Sequence, residues 1–415
     1  MFDRLLAYGI RQGRVILIDH RGRARTFGRG NPEVTVRLAD AATDRALAFN
    51  PWLKVGEAYM EGKLTIEQGS LYDLIDIGMA NALDVDHAPW QRLVAGFLTI
   101  ARWWHQHNPI GIARQHVAHH YDLSRRLFEL FLDEGMQYSC AYFLEPGMSL
   151  AEAQAAKMRH IAAKLLLEPG QRVLDIGCGW GGLAIYLARS TGAEVVGVTL
   201  SKEQYEVATQ RARDEGVDGQ VTFKLQDYRL ETAQYDRIVS VGMFEHVGVK
   251  HYREFFGGVE RLLKPRGVAL LHAIGRRGGR GFTNPWLRKY IFPGGYAPAL
   301  SEVVPFVERT GMWITDIEIL RLHYAETLRC WRENFNRHRA EIARIYDERF
   351  CRMWEFYLMG SELSFRHDYN MVFQMQLSRS IDAVPLTRDY IADWERRQRD
   401  AGRDAKPSAK DRAAE

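Results

Sequence analysis

The chain lacks most of the features that mark several large classes of protein. It has four cysteines in 415 residues, Cys140, Cys178, Cys330 and Cys351. No two of them stand in a C-x-x-C pair, so neither a disulfide framework nor a cysteine zinc site is indicated, and no metal is expected. A reducing cytoplasmic compartment suits that usage. No run approaches the roughly 18 apolar residues of a membrane span, and the opening MFDRLLAYGIRQGR has no long uncharged stretch. The expectation is a soluble or peripheral protein. An excess of one charge is missing too: 56 Lys+Arg stand against 52 Asp+Glu, a net of +4. That implies mild attraction to anionic partners such as lipid head groups, and no nucleic acid is expected.

What is present is an ordinary apolar fraction of 46% in a chain long enough for more than one domain. The sequence is organised around RVLDIGCGWGGLAIYLARSTGAEVVGVTL, residues 172–200. An apolar strand through Asp175 enters Gly177-x-Gly179-x-x-Gly182, a helix follows, and a second apolar strand ends at Thr199. Glycine there lets a tight turn and a helix N-terminus approach a ligand closely. A dinucleotide site usually carries Asp or Glu at the end of the second strand, where this chain has Thr199, Leu200 and Ser201. The nicotinamide-linked oxidoreductase is thereby disfavoured.

Further strands are expected at 221–225, 235–241 and 267–272, with helices between them. Such a βαβαβ run predicts a doubly wound, Rossmann-like parallel α/β sheet with ligands at the carboxyl ends of its strands. The glycine loop, Thr199 to Gln204, Asp227, Glu245 and His272 all follow strands, so they should share one rim. Ser149-x-x-Glu152 is a capping-box candidate for the helix that precedes the first strand.

The remaining divisions follow from composition. Residues 1–87 predict a small α+β accessory domain, which resembles sterol-carrier-like lipid-binding modules. Residues 88–120 form a linker rich in Trp, Arg and His, with Trp90, Trp103 and Trp104 suited either to a membrane interface or to interdomain packing. Residues 121–394 make the catalytic domain, with helical cap insertions. Residues 395–415 are charged and Ala-rich and predict a disordered tail. The basic loop 275–281 serves equally as a phosphate-facing or a solvated segment.

YSCAYF (138–143), LDIGCGWGG (174–182), GVTLSKEQ (197–204), SVGMFEHVG (240–248), HAIG (272–275), KYIFPGG (289–295) and HYAETL (323–328) together resemble the cyclopropane-fatty-acid synthase family. That family includes the mycolic acid cyclopropane synthases and related S-adenosylmethionine-dependent lipid methyltransferases. The resemblance implies that Tyr138, Ser139, Asp175, Gly177, Gly179, Thr199, Leu200, Ser201, Gln204, Asp227 and Tyr228 bind the methyl donor. It also implies a bicarbonate ion as base, held by Cys140, Glu245, His272, the backbone at Ile274, and Tyr324. The reaction would add a methylene across a cis double bond of an unsaturated phospholipid, at the inner face of a membrane. A peripheral bilayer contact and a homodimer are compatible with it. Within the class, the alternative outcome is a methyl-branched or methylene fatty acid. Outside it, the alternative is a lipid-binding scaffold centred on the N-terminal domain. Taken singly, Cys140, His272 and Tyr324 are also ordinary core residues, and Glu245 is the hardest to explain by packing.

Overall fold

The computed structural model describes residues 2–81, 123–367 and 369–401. The predictions for the tryptophan-rich linker, including its histidines, lie outside these residues. The chain divides into two compact units. One comprises Met1–His105, Arg280–Pro293 and Leu328–Asn370, and the other Gln106–Gly279, Gly294–Thr327 and Met371–Glu415. This differs from a contiguous catalytic segment 121–394, because the inserted helical segments group with the N-terminal residues.

In the first unit, strands β1 (Gly13–Ile18), β2 (Ala24–Arg29), β3 (Glu33–Leu38) and β4 (Leu64–Gln68) form a sheet in the order β2-β1-β3-β4. β1 and β3 were legible as alternating apolar runs. β2 was not, since it is an exposed, arginine-bearing edge strand. Val15, Leu17, Val34, Val36 and Leu38 pack with Leu47, Ala58 and Ile77 of the covering helices. The later segments join through specific contacts. Glu57 accepts from Lys289 Nζ at 2.6 Å and Tyr290 Oη at 2.9 Å, and Trp286 packs edge-on against Phe356. Of the aromatic side chains in these segments, Trp286, Trp354 and Tyr357 are buried.

In the second unit, β5 (Arg172–Ile176), β6 (Glu194–Thr199), β7 (Val221–Leu225), β8 (Tyr235–Val241), β9 (Leu263–Arg276), β10 (Trp313–Ile319) and β11 (Asn370–Ser378) form one sheet. Its order is β10-β11-β9-β8-β5-β6-β7. β5 pairs in parallel with both β6 and β8, and β10 is antiparallel to β11. The doubly wound expectation therefore holds, and the strand order reverses at β5, where a crevice opens beyond the carboxyl ends. β5 is buried from Val173 to Ile176. Its alternate side chains enter separate cores, Leu174 and Ile176 on one face and Val173 on the other.

The helix Leu150–Leu165 begins at the expected capping box: Ser149 N donates to Glu152 Oε2 at 2.9 Å, and Glu152 N to Ser149 Oγ at 3.3 Å. Unusually for a helix so deeply buried, it carries Lys157, His160 and Lys164 inward. No helix among the described residues is long and apolar enough to cross a membrane.

The predicted disordered tail is wrong at its start. Residues Asp389–Asp400 form a helix. Ile391, Trp394 and Gln398 recur on one inward face, and Glu395 Oε1 lies 2.8 Å from His160 Nδ1. The charged composition hid this short stripe, and its partner is far away in sequence. His160 also meets Glu318 Oε2 at 2.7 Å. Burial opposes charge on His160, but the Glu318 and Glu395 carboxylates outweigh it and raise its pKa. The charged imidazole thus stabilises the fold below the unfolded pKa of about 6.5, and that contribution is lost as pH rises through the raised folded value. Glu395→Ala should therefore cost about 1.5–3 kcal/mol near neutral pH. Thermal unfolding of the variant and the parent should diverge more at about pH 6 than at about pH 9.

Candidate active site

A cavity opens at the carboxyl ends of β5 to β8. Ten of the predicted donor-binding residues line it: Tyr138, Ser139, Asp175, Gly177, Gly179, Thr199, Leu200, Gln204, Asp227 and Tyr228. The eleventh, Ser201, stands behind the wall. Its Oγ accepts from Gln204 N at 3.3 Å as the cap of helix Lys202–Asp214. Thr199 Oγ1 donates to Gln204 Oε1 at 2.9 Å, so the cap and the wall hold one another. Asp227 is clamped by Arg229 through two bonds of 2.8 and 2.7 Å.

The glycine pattern has separate local causes. Gly177 takes φ +83° as the chain leaves β5, a conformation costly for other residues. Gly182 has ordinary φ, but a Cβ there would lie 2.4 Å from Gln137 Nε2 and 2.5 Å from Gly135 O. That close approach seats the segment carrying Tyr138 and Ser139 on the glycine loop. Tyr138 is held edge-on by Phe128 and Phe131.

None of Cys140, Glu245, His272, Ile274 and Tyr324 lines this cavity. They fall into two sets, Glu245 with the strand bearing His272 and Ile274, and the Cys140 segment with the turn bearing Tyr324. Glu245 sits on a single turn after β8, anchored by Phe244 stacking on Tyr252. Its Oε1 accepts from Ile274 N at 2.6 Å, while Oε2 is buried with no hydrogen-bond partner among the described residues. His272 lies two residues before Ile274, at the end of β9's pairing with β8. Ala141 N donates to Thr327 Oγ1 and Phe143 N to His323 Nδ1, each at 3.0 Å. The Cys140 segment is thereby fixed to the helix turn bearing Tyr324.

Burial shifts Glu245, Cys140 and His272 toward their uncharged forms. It pushes the Glu245 carboxyl up to about 7 against the Ile274 N–H, and the Cys140 thiol well above its usual value. Burial, then the nearby Lys157 charge, lowers His272 to about 3. Gln374 Nε2 donates to His272 Nδ1 at 3.2 Å, which leaves the imidazole proton on Nε2. Of the other wall residues, Asp175 is pushed up to about 7 by burial, against Lys157.

Sequence reasoning missed Gln137, Lys157, Gln226 and Gln374. Gln226 was findable, since it precedes Asp227 at the end of a strand. Lys157 and Gln374 have no local signal. Arg276, expected in a mobile basic loop, instead belongs to β9, with Nε donating to Ala297 O at 2.8 Å. No cluster of metal-ligating side chains occurs among the described residues.

Two outcomes follow from this geometry. Gly182→Ala should weaken S-adenosylmethionine binding about tenfold in calorimetric titration, since overpacking of about 1–3 kcal/mol displaces residues 135–139. For Glu245, a raised carboxyl pKa means that the fold loses stability as pH climbs from about 4.3 through about 7. A glutamine side chain at this position would not ionise and could still accept from Ile274 N–H. The melting temperature of Glu245→Gln relative to the parent should therefore increase over that pH interval, and a flat difference would refute it.

Residues 111–375 match the family described as mycolic acid cyclopropane synthetase, and residues 15–86 match one described only as a domain of unknown function. A probable fatty acid methyltransferase of Pseudomonas putida is 35% identical over 357 residues, covering 83% of this chain and 87% of that protein. The cyclopropane-fatty-acyl-phospholipid synthase of Escherichia coli K12 is 46% identical over 263 residues, 63% of this chain and 67% of that one. The crystal structure of mycolic acid cyclopropane synthase CmaA1 complexed with SAH and CTAB aligns with a TM-score of 0.60 at 34% identity, covering 64% of this chain and 97% of that chain. The cavity at the strand ends and these matches agree: the chain belongs to the mycolic acid cyclopropane synthetase family and is an S-adenosylmethionine-dependent methyltransferase of the cyclopropane synthase type.

Proposed function

We propose that the enzyme closes a cyclopropane ring on an unsaturated acyl chain of a phospholipid, with bicarbonate as the base. In that reaction the sulfonium methyl adds to a cis double bond and leaves a carbocation. The new methyl then loses a proton as its carbon closes the ring. The observation that supports the reading is the buried Glu245 carboxyl, whose Oε2 has no hydrogen-bond partner among the described residues, bonded through Oε1 to the strand that carries buried His272. Neutral His272 offers Nε2–H, and the family resemblance assigns Cys140 and Tyr324 to the same anion. At a pKa of about 7, Glu245 can supply a proton from Oε2. His272 Nε2–H and a protonated Glu245 Oε2 suit a small anion with several acceptor oxygens, while the Cys140 thiol donates to Ala141 O at 3.3 Å. Bound there, bicarbonate would accept the proton and place negative charge beside the carbocation in a low-dielectric site. The Ile274 N–H acts by holding Glu245 in place.

Glu245 itself is the competing base, because a carboxyl near 7 is well matched to proton transfer. Assays in rigorously carbonate-free buffer separate the two. Turnover should fall steeply and return on adding bicarbonate, whereas unchanged turnover would make Glu245 the base. Glu245→Gln should lower turnover by a factor of about 100 or more, with S-adenosylmethionine affinity nearly unchanged.

The phospholipid assignment draws on the Escherichia coli relative and on the mild positive charge. The Pseudomonas putida relative, which aligns over more of the chain, favours a methyl-branched or methylene product as the second reading. Transfer of a labelled methyl group to vesicles of unsaturated phospholipid tests the substrate, and unlabelled lipid would sink the proposal. In the product, a ring resists hydrogenation that reduces a methylene group, and a saturated branch carries two more hydrogens.

A further inference from the structure

Two lysines of the helix Leu150–Leu165 are completely buried, and they are treated differently. Lys164 is paired with the Glu318 and Asp316 carboxylates. Lys157 has no carboxylate within ion-pair distance among the described residues. Its Nζ donates to Gln137 Oε1 and, at 3.0 Å, to Ser139 Oγ, both neutral and both in the cavity wall. A buried ammonium without a directly paired carboxylate is costly, and only Asp133, Asp175 and the Cys140 sulfur favour its charge from longer range. Beside it Asp175 also lines the cavity, 1% exposed, with Oδ2 lacking a hydrogen-bond partner among the described residues. Burial opposes the charge on each, lowering Lys157 to about 8 and raising Asp175 to about 7.

We propose that Lys157 is a positioning residue for the carboxylate of the methyl donor's amino-acid end, acting through Ser139. An ammonium only donates, so Ser139 Oγ is the acceptor in that bond and its own hydrogen remains for the cavity. Lys157 thus orients the Ser139 hydroxyl as a donor and places a positive charge behind it. Gln137, held by the same ammonium, fixes the adjoining backbone. The orphaned Asp175 oxygen complements this with an acceptor for the ligand's ammonium group. A zwitterion entering here would add an opposite charge close to each of these two buried groups.

The inference rests on S-adenosylmethionine as donor. Its test compares S-adenosylhomocysteine with the decarboxylated analogue by calorimetry, using the full-length parent, Lys157→Met and Ser139→Ala. The parent should prefer the carboxylate-bearing ligand. Lys157→Met should weaken S-adenosylhomocysteine about tenfold or more and change the analogue by less than about twofold. Equal loss of both ligands would mean a merely structural lysine, and no loss would mean that its charge does not reach the donor. Either result overturns the proposal. Should Lys157→Met fail to fold, Ser139→Ala decides by the same criterion. Failure of the parent to bind either ligand would instead remove the donor assignment, so the two failures are distinguishable.

Discussion

Three cationic side chains projecting inward from one helix hold the methyltransferase unit together. Lys164 reaches Glu318 and Asp316 on β10, and its backbone carbonyl accepts from Gln376 of β11 at 2.6 Å. His160 joins Glu318 to Glu395 of the C-terminal helix. Lys157 holds Gln137 and Ser139, while Gln154 donates to the carbonyl of Ser139 at 3.0 Å. At the helix end, Arg237 of β8 binds the carbonyls of Leu165 and Leu166. Burying so many polar groups is tolerable only if each finds its partner. The positions of the sheet edge, the final helix and the cavity wall are consequently linked.

The same helix separates two electrostatic regimes. Away from the cavity, charges are paired and favour ionisation: the His160 and Lys164 partners outweigh burial and hold Glu318 well below the usual carboxylate range. Toward the cavity and the Glu245 turn no paired opposite charge outweighs burial, which drives Asp175, Glu245 and His272 toward their uncharged forms.

Stacking extends this order to the segment that carries Cys140. Tyr142 lies between His160 and His323, with ring centroids 4.3 and 4.8 Å away. His323 also accepts from Phe143 N and immediately precedes Tyr324. The turn bearing Cys140 and the start of the helix bearing Tyr324 are thus set by one aromatic column rooted in the central helix.

Much of this architecture was legible in the sequence because it is local. The apolar run of β5, the glycines after it, the Ser149–Glu152 cap and the polar residues at successive strand ends are governed by neighbours a few positions apart. Period, φ and capping therefore reveal them, while the ten predicted donor-binding residues that line the cavity came from the family resemblance. The tertiary structure alone decided the rest. Lys157 is one lysine in an alanine-rich helix, Gln374 meets His272 across 102 positions, and Glu395 stands in a stretch whose composition suggests no order. The segments 280–293 and 328–370 group with the N-terminal residues through Glu57, Trp286 and Phe356, which no local pattern connects. Which charges are buried, and therefore which groups stay neutral, depends on packing between distant segments, and neighbouring residues in the sequence do not specify it.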